Sequence, residues 1–129
     1  MALDPAELPD EVLAFLSERH LATLSTTRAD GSPHVVPVGF SYDAAERLVR
    51  IITFEPSAKV ANARRGGRGA VCQVDGGRWL TLEGAITVTD DPGRVADAVA
   101  GYAARYRTPG DRADRVAIEI AVDRVLGRG

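Results

Sequence analysis

A mainly β chain is predicted, with six strands, five of them antiparallel neighbours joined by short turns, closing wholly or partly into a barrel with short peripheral helices. Three observations predict it. Apolar and polar residues alternate, most clearly where Leu80, Leu82, Ile86 and Val88 interleave with Thr81, Glu83 and Thr87. Asp30-Gly31 and Gly76-Gly77 fall between such runs as hairpin turns. Finally, 129 residues at 45% hydrophobic content supply one core and not two, so residues 1–129 are read as a single domain.

The first element is a short amphipathic helix opened by Pro9 and the acids Asp10 and Glu11, with Val12, Leu13, Phe15 and Leu16 on one face, ending near Arg19. Strand residues run from His20 to Thr27 and, after the Asp30-Gly31 turn, from His34 to Tyr42, where Val36, Val38, Phe40 and Tyr42 alternate. A third strand, Leu48 to Phe54, is rich in Val and Ile. Ser57 is a good N-cap for a two-turn helix over Lys59 to Arg65, which Gly66-Gly67 stop. Strands follow at Gly69 to Val74 and, beyond Gly76-Gly77, through Leu80 to Val88, where Gly84 marks a bulge or a close backbone approach. Asp91-Pro92 caps the longest helix, with Val95, Val99, Tyr102 and Tyr106 as its buried stripe and Thr108-Pro109-Gly110 as its end. The last strand, Val116 to Val125, points Val116, Ile118, Ile120 and Val122 inward and Glu119 and Asp123 outward.

Composition excludes several classes of function. The net charge of -2 argues against bulk nucleic-acid binding, although Arg64, Arg65 and Arg68 cluster locally. No apolar run reaches the roughly 18 residues of a membrane span, and Asp4 and Glu7 near the start are unlike a signal peptide. One cysteine, Cys72, allows no internal disulfide and no cysteine-rich zinc site, and a cytoplasmic setting is expected. With only His20 and His34 available, no metal is expected either. The 16 basic residues include a single lysine, Lys59.

That lysine sits in the first candidate site. Around the start of the second helix, backbone N–H groups, the Ser57 hydroxyl and the Lys59 ammonium come together, with Asn62 a turn on and Arg64 and Arg65 beyond, which is the chemistry of a phosphate pocket. The same residues also read as a capped surface helix with solvated cations. Pro37 inside a strand cannot donate to a ladder, so it marks an edge or a segment along which a ligand lies. His34 suits a surface or hydrogen-bonded structural role better than a base, and Cys72 a small buried hydrophobe. Trp79, directly after a glycine turn, stacks on a planar ligand or a partner, or covers the barrel end. Glu83 is outward, solvated or paired. No dinucleotide fingerprint, P-loop, nucleophile elbow or metalloprotease helix occurs.

Four segments together resemble the split-barrel flavin and deazaflavin reductases, the pyridoxamine-phosphate-oxidase-like class, and within it the F420-dependent branch. They are residues 15–22, 30–40, 73–80 and 102–109, and the resemblance runs from about Leu13 to Leu126. It implies a homodimer of split barrels with cofactor sites at the interface. It implies coenzyme F420, or alternatively FMN, with the phosphate beside Ser57, Lys59, Asn62 and Arg64. The ring would lie along Val36, Pro37, Val38, Ile52 and Thr53, with Gln73, Arg78 and Trp79 contributed by the second subunit. The implied reaction is hydride transfer from reduced F420 to a conjugated acceptor such as biliverdin, whose two propionates would suit Arg64, Arg65, Arg68 or Arg78. An FMN-dependent oxidase or reductase and a non-catalytic F420 or flavin carrier are the alternatives. Phe54-Glu55-Pro56 is bulkier and more acidic than the family's looser pattern, which leaves the path of an anionic tail past Glu55 open.

Overall fold

The computed structural model describes residues 2–129. One antiparallel sheet of eight strands, not six, wraps around the core. In chain order the elements are β1 (Ala2–Leu3), α1 (Asp10–Ser17), β2 (Ala22–Thr27), β3 (Pro33–Val38), β4 (Ser41–Asp43), β5 (Leu48–Phe54), α2 (Ala58–Arg64), β6 (Arg68–Asp75), β7 (Arg78–Thr89), α3 (Pro92–Arg105) and β8 (Arg115–Arg128). Strands run β3-β2-β6-β7-β8-β5-β4 across the sheet, and β1 pairs with β8. Among the described residues no helix is long and apolar enough to cross a membrane.

The two extra strands have different origins. β1 is two residues long, too short to show a period, and exists only because Ala2 and Leu3 pair with Leu126 and Val125. β3 and β4 arise where one strand, His34 to Tyr42, is expected. The break falls at Gly39-Phe40, where the Phe40 carbonyl is taken out of the ladder: Arg105 donates to it at 2.8 Å and the Tyr106 hydroxyl at 3.2 Å. A Cβ on Gly39 would lie 3.1 Å from the Tyr106 ring and 3.2 Å from that of Tyr102, so glycine lets both tyrosines pack on the backbone there. As β3 and β4 are the two edges of the sheet, this segment is the covalent bridge across an incompletely closed barrel.

Inside, Phe15, Leu24, Phe40, Ile51, Leu82, Ile86, Ile118 and Ile120 form the centre of the core. The expected bulge is present: the β7–β8 register shifts between Glu83 and Gly84, and a Cβ on Gly84 would come within 1.8 Å of the Ala121 carbonyl oxygen. Two expectations for α3 and β8 fail. Val95, Val99, Tyr102 and Tyr106 are only half-buried, and the buried positions are Ala98 and Arg105. Glu119 is buried rather than outward, because α3 lies across that face and Arg94 grips its carboxylate with contacts of 2.7–3.1 Å. Cys72, free and half-buried, also departs from the fully buried role expected.

Candidate functional site

Helix α2 forms because Ser57, extended at φ -92°, caps it: its hydroxyl oxygen accepts the Val60 N–H at 3.4 Å. The same hydroxyl lies 3.4 Å from Thr53 Oγ1, which ties the helix start to the end of β5. These contacts place Lys59 at the mouth of a 410 Å³ cleft. One wall is apolar strand, Pro37, Val38, Ile51, Ile52, Thr53 and Phe54. The other comes from α3 and the loop after it, with Tyr102, Arg107, Thr108, Pro109 and Gly110, and then Arg112 and Arg115.

Lys59 makes no hydrogen bond or ion pair among the described residues; its ammonium sits 5.5 Å from the Phe54 ring centroid. Partial burial pushes its pKa below the usual lysine value. Retaining such a charge without a counter-ion is costly, so an anion in the cleft would bind to a cation that gives up no hydrogen bond or ion pair.

Of the residues expected to bind cofactor, Pro37, Val38, Ile52, Thr53 and Lys59 line this one cleft, and Ser57 adjoins it. Others are turned elsewhere. Val36 packs its side chain on the core. Asn62 is buried, donating to Thr26 Oγ1 at 3.1 Å and accepting from Arg65 at 2.9 Å. Arg64 is paired with Glu55, which also removes the expected conflict between that carboxylate and an anionic ligand. Gln73 is fully buried, donating to the Phe15 carbonyl at 3.0 Å and accepting from Arg105 at 2.7 Å, so its amide is turned into the core and not toward a ligand. Arg78 is held by Glu18 and Asp75 with its guanidinium 4.3 Å from the Phe15 ring centroid. In consequence the Glu18 carboxyl falls to about 2, chiefly through its hydrogen bond from Arg78 and secondarily from His20. Trp79 is half-buried on β7, away from the cleft.

The local basic cluster is likewise engaged: Arg65 donates to the Thr27 carbonyl at 2.5 Å and Arg68 forks onto Asp123 at 2.6 and 2.9 Å. His34 is half-buried with Nδ1 lacking a hydrogen-bond partner, so it is neither a surface nor a hydrogen-bonded residue at that atom. Sequence reasoning missed Tyr102, Arg107, Arg112 and Arg115. The sequence signals for the three arginines are their density around Thr108-Pro109-Gly110, which reads as a helix terminator, and, for Arg107 alone, its place in the 102–109 segment.

The chain matches the pyridoxamine 5'-phosphate oxidase family over residues 8–129. It is 54% identical over 120 residues to the F420H(2)-dependent biliverdin reductase of Mycobacterium tuberculosis (strain CDC 1551 / Oshkosh), covering 93% of this chain and 88% of that protein. Among solved structures it is similar to an F420 reductase, at 25% identity with a TM-score of 0.75, covering 92% of this chain and 98% of that one. The general stress protein 26 of Bacillus anthracis str. Sterne shares the fold, with a TM-score of 0.74 at 17% identity and 92% of each chain covered.

Proposed function

The chain belongs to the pyridoxamine 5'-phosphate oxidase family, and from that premise we propose that it is an F420-dependent oxidoreductase reducing a conjugated acceptor, biliverdin to bilirubin. The observation that carries this reading is the identity with a biliverdin reductase across nearly the whole chain, in a molecule whose cleft joins an apolar strand wall to an uncommitted lysine.

The cleft fits such a cofactor. Pro37 has no N–H, so that stretch of wall offers a flat apolar surface without a competing donor, and Val38, Ile52 and Thr53 extend it. Lys59 answers the phosphate by a charge-assisted contact, and Ser57, whose oxygen caps α2, retains its O–H to donate. When bound, the deazaflavin supplies a hydride. What the protein contributes is orientation against the strand wall and partial exclusion of water. Among the described residues no carboxylate or histidine lines the cleft, whose other proton-bearing side chains include Lys59 and Tyr102, and we assign the proton that a pyrrole nitrogen requires to solvent.

Two copies of the chain would complete the site. The outer face of β3, β2, β6 and β7 is uncovered, and one row running across it and onto β8, Pro37, Thr23, Cys72, Thr81 and Leu126, carries no charge. Leu21, Val35 and Val74 on the same face are 69%, 56% and 60% exposed. Pro37 belongs both to this face and to the cleft, so a second copy seated here would cover the cleft mouth. Trp79, remote from its own cleft, then has a route to the partner's. Thr81→Arg, within the row, should yield monomers in sedimentation.

Anaerobic mixing of the protein with reduced F420 and biliverdin tests the activity: oxidised F420 and bilirubin should appear in equal amounts. A protein that purifies with bound flavin and shows no affinity for F420 would favour the FMN alternative and sink this reading.

A further inference from the structure

Four cations line the cleft, and they are not equivalent. Arg112 is held by Asp114, with Nε 2.5 Å from Oδ1, and lies 4.0 Å from the Phe54 ring centroid. Arg115 donates to the Gly110 carbonyl at 2.6 Å. Only Lys59 and Arg107 lack any hydrogen bond or ion pair among the described residues, and they come from different elements, Lys59 from α2 and Arg107 from the loop after α3. Resting on the function proposed above, we propose that Arg107 binds a carboxylate of the acceptor and selects for anionic conjugated substrates, leaving Lys59 to the cofactor phosphate.

An exposed arginine by itself is ordinarily a solvated surface charge. Arg107 differs in the base that carries it. The two residues before it are anchored: Arg105 donates three hydrogen bonds of 2.7–2.8 Å, and the Tyr106 hydroxyl donates to the His20 carbonyl at 2.6 Å. Behind it, Pro109 restricts the loop and the Arg115 contact to Gly110 closes it. A guanidinium carried on a held stretch of backbone loses less entropy on binding than one on a mobile loop, and its planar fork matches a carboxylate. The four arginines first expected to receive propionates, Arg64, Arg65, Arg68 and Arg78, are all engaged elsewhere. Arg107 is the arginine in the cleft that remains.

The test compares biliverdin with its dimethyl ester, which has the same conjugated system and no carboxylates. Binding is followed by the induced circular dichroism of the pigment on protein loaded with oxidised F420, so that no turnover intervenes. The unaltered protein should bind the acid at least tenfold tighter than the ester. Arg107→Gln should weaken the acid about tenfold, change the ester less than twofold, and leave the affinity for F420 within twofold at every tail length; Arg107→Lys should recover part of the loss. Equal weakening of acid and ester overturns the proposal, as does a variant whose loss falls on long-tailed F420 with acid binding unaltered. Unaltered protein that turns over biliverdin but does not distinguish acid from ester sinks this inference alone, whereas absence of any turnover sinks the proposed function with it.

Discussion

Replacing Arg105 by Met should destabilise the protein by about 3 kcal/mol, a value worked from what its guanidinium holds. It donates to the Glu18 carbonyl, the Phe40 carbonyl and Gln73 Oε1, and stacks 4.7 Å from the Phe40 ring centroid. Among the described residues no carboxylate comes within ion-pairing distance of it, and the Glu18 carboxylate acts on it only through space. Burial therefore pushes its pKa below the usual arginine value, and hydrogen bonds to carbonyl oxygens rather than a direct ion pair hold the charge. Each charge-assisted bond is worth about 1.5–3 kcal/mol, set against a desolvation cost of several kcal/mol for the buried ion. Met keeps part of the packing on Phe40, the Tyr106 hydroxyl still serves the Phe40 carbonyl, and Glu18 lies near water. Gln73 Oε1, fully buried, is left without a donor, which costs about 1–3 kcal/mol. For a domain of this size that corresponds to roughly 10 °C in Tm. Urea unfolding of Arg105→Met, Gln73→Leu and the double variant measures it. The double should be less destabilised than the sum of the singles by about 1 kcal/mol, since Gln73→Leu removes the orphaned acceptor. A loss below about 1 kcal/mol in Arg105→Met, or strict additivity in the cycle, would refute the reasoning.

Lys59→Met should weaken F420 binding by about 1.5–3 kcal/mol in an equilibrium titration, while the thermal stability of the cofactor-free protein stays level or rises, because a half-buried charge without a partner is removed. Gly84→Ala should cost about 3 kcal/mol or more, or abolish folding, because its methyl group meets the Ala121 carbonyl of the neighbouring strand; circular dichroism and yield report it. The Glu18–Arg78 pair should give acid sensitivity of known sign. A carboxyl held at about 2 against an ordinary 4.5 contributes stability that is present above 4.5 and is lost as the pH falls from there through 2. In Arg78→Ala the NMR titration midpoint of Glu18 should return toward the ordinary range, and high salt should reduce the difference in the unaltered protein.

Strand β5 was legible at its exact bounds and helix α2 to within one residue at each end, since the Val and Ile content of Leu48 to Phe54 and the Ser57 cap with its glycine stop are local signals that tertiary contacts did not override. The Gly84 bulge was legible for the same reason. The split between β3 and β4 was not, because it depends on Arg105 and Tyr106, more than 60 residues away, capturing the Phe40 carbonyl. Glu119 was misplaced because period-two alternation assumes one wet face, and α3 makes both faces of that strand dry.

The candidate site divides along the same line. Lys59 stood out from composition, and its place after a serine cap made it a candidate for an anionic ligand, with a solvated surface cation as the alternative. Arg64, Asn62, Gln73 and Arg78 are likewise polar residues expected at the site, yet Glu55, Thr26, Phe15 and Glu18 occupy them. Arg107, unremarkable in the sequence, is left free in the cleft. Residue type and local spacing determined which elements form and where a cation stands along the chain. Whether that cation is spent on a neighbour or available to a ligand is set by what lies across from it. Only the folded sheet brings those partners together.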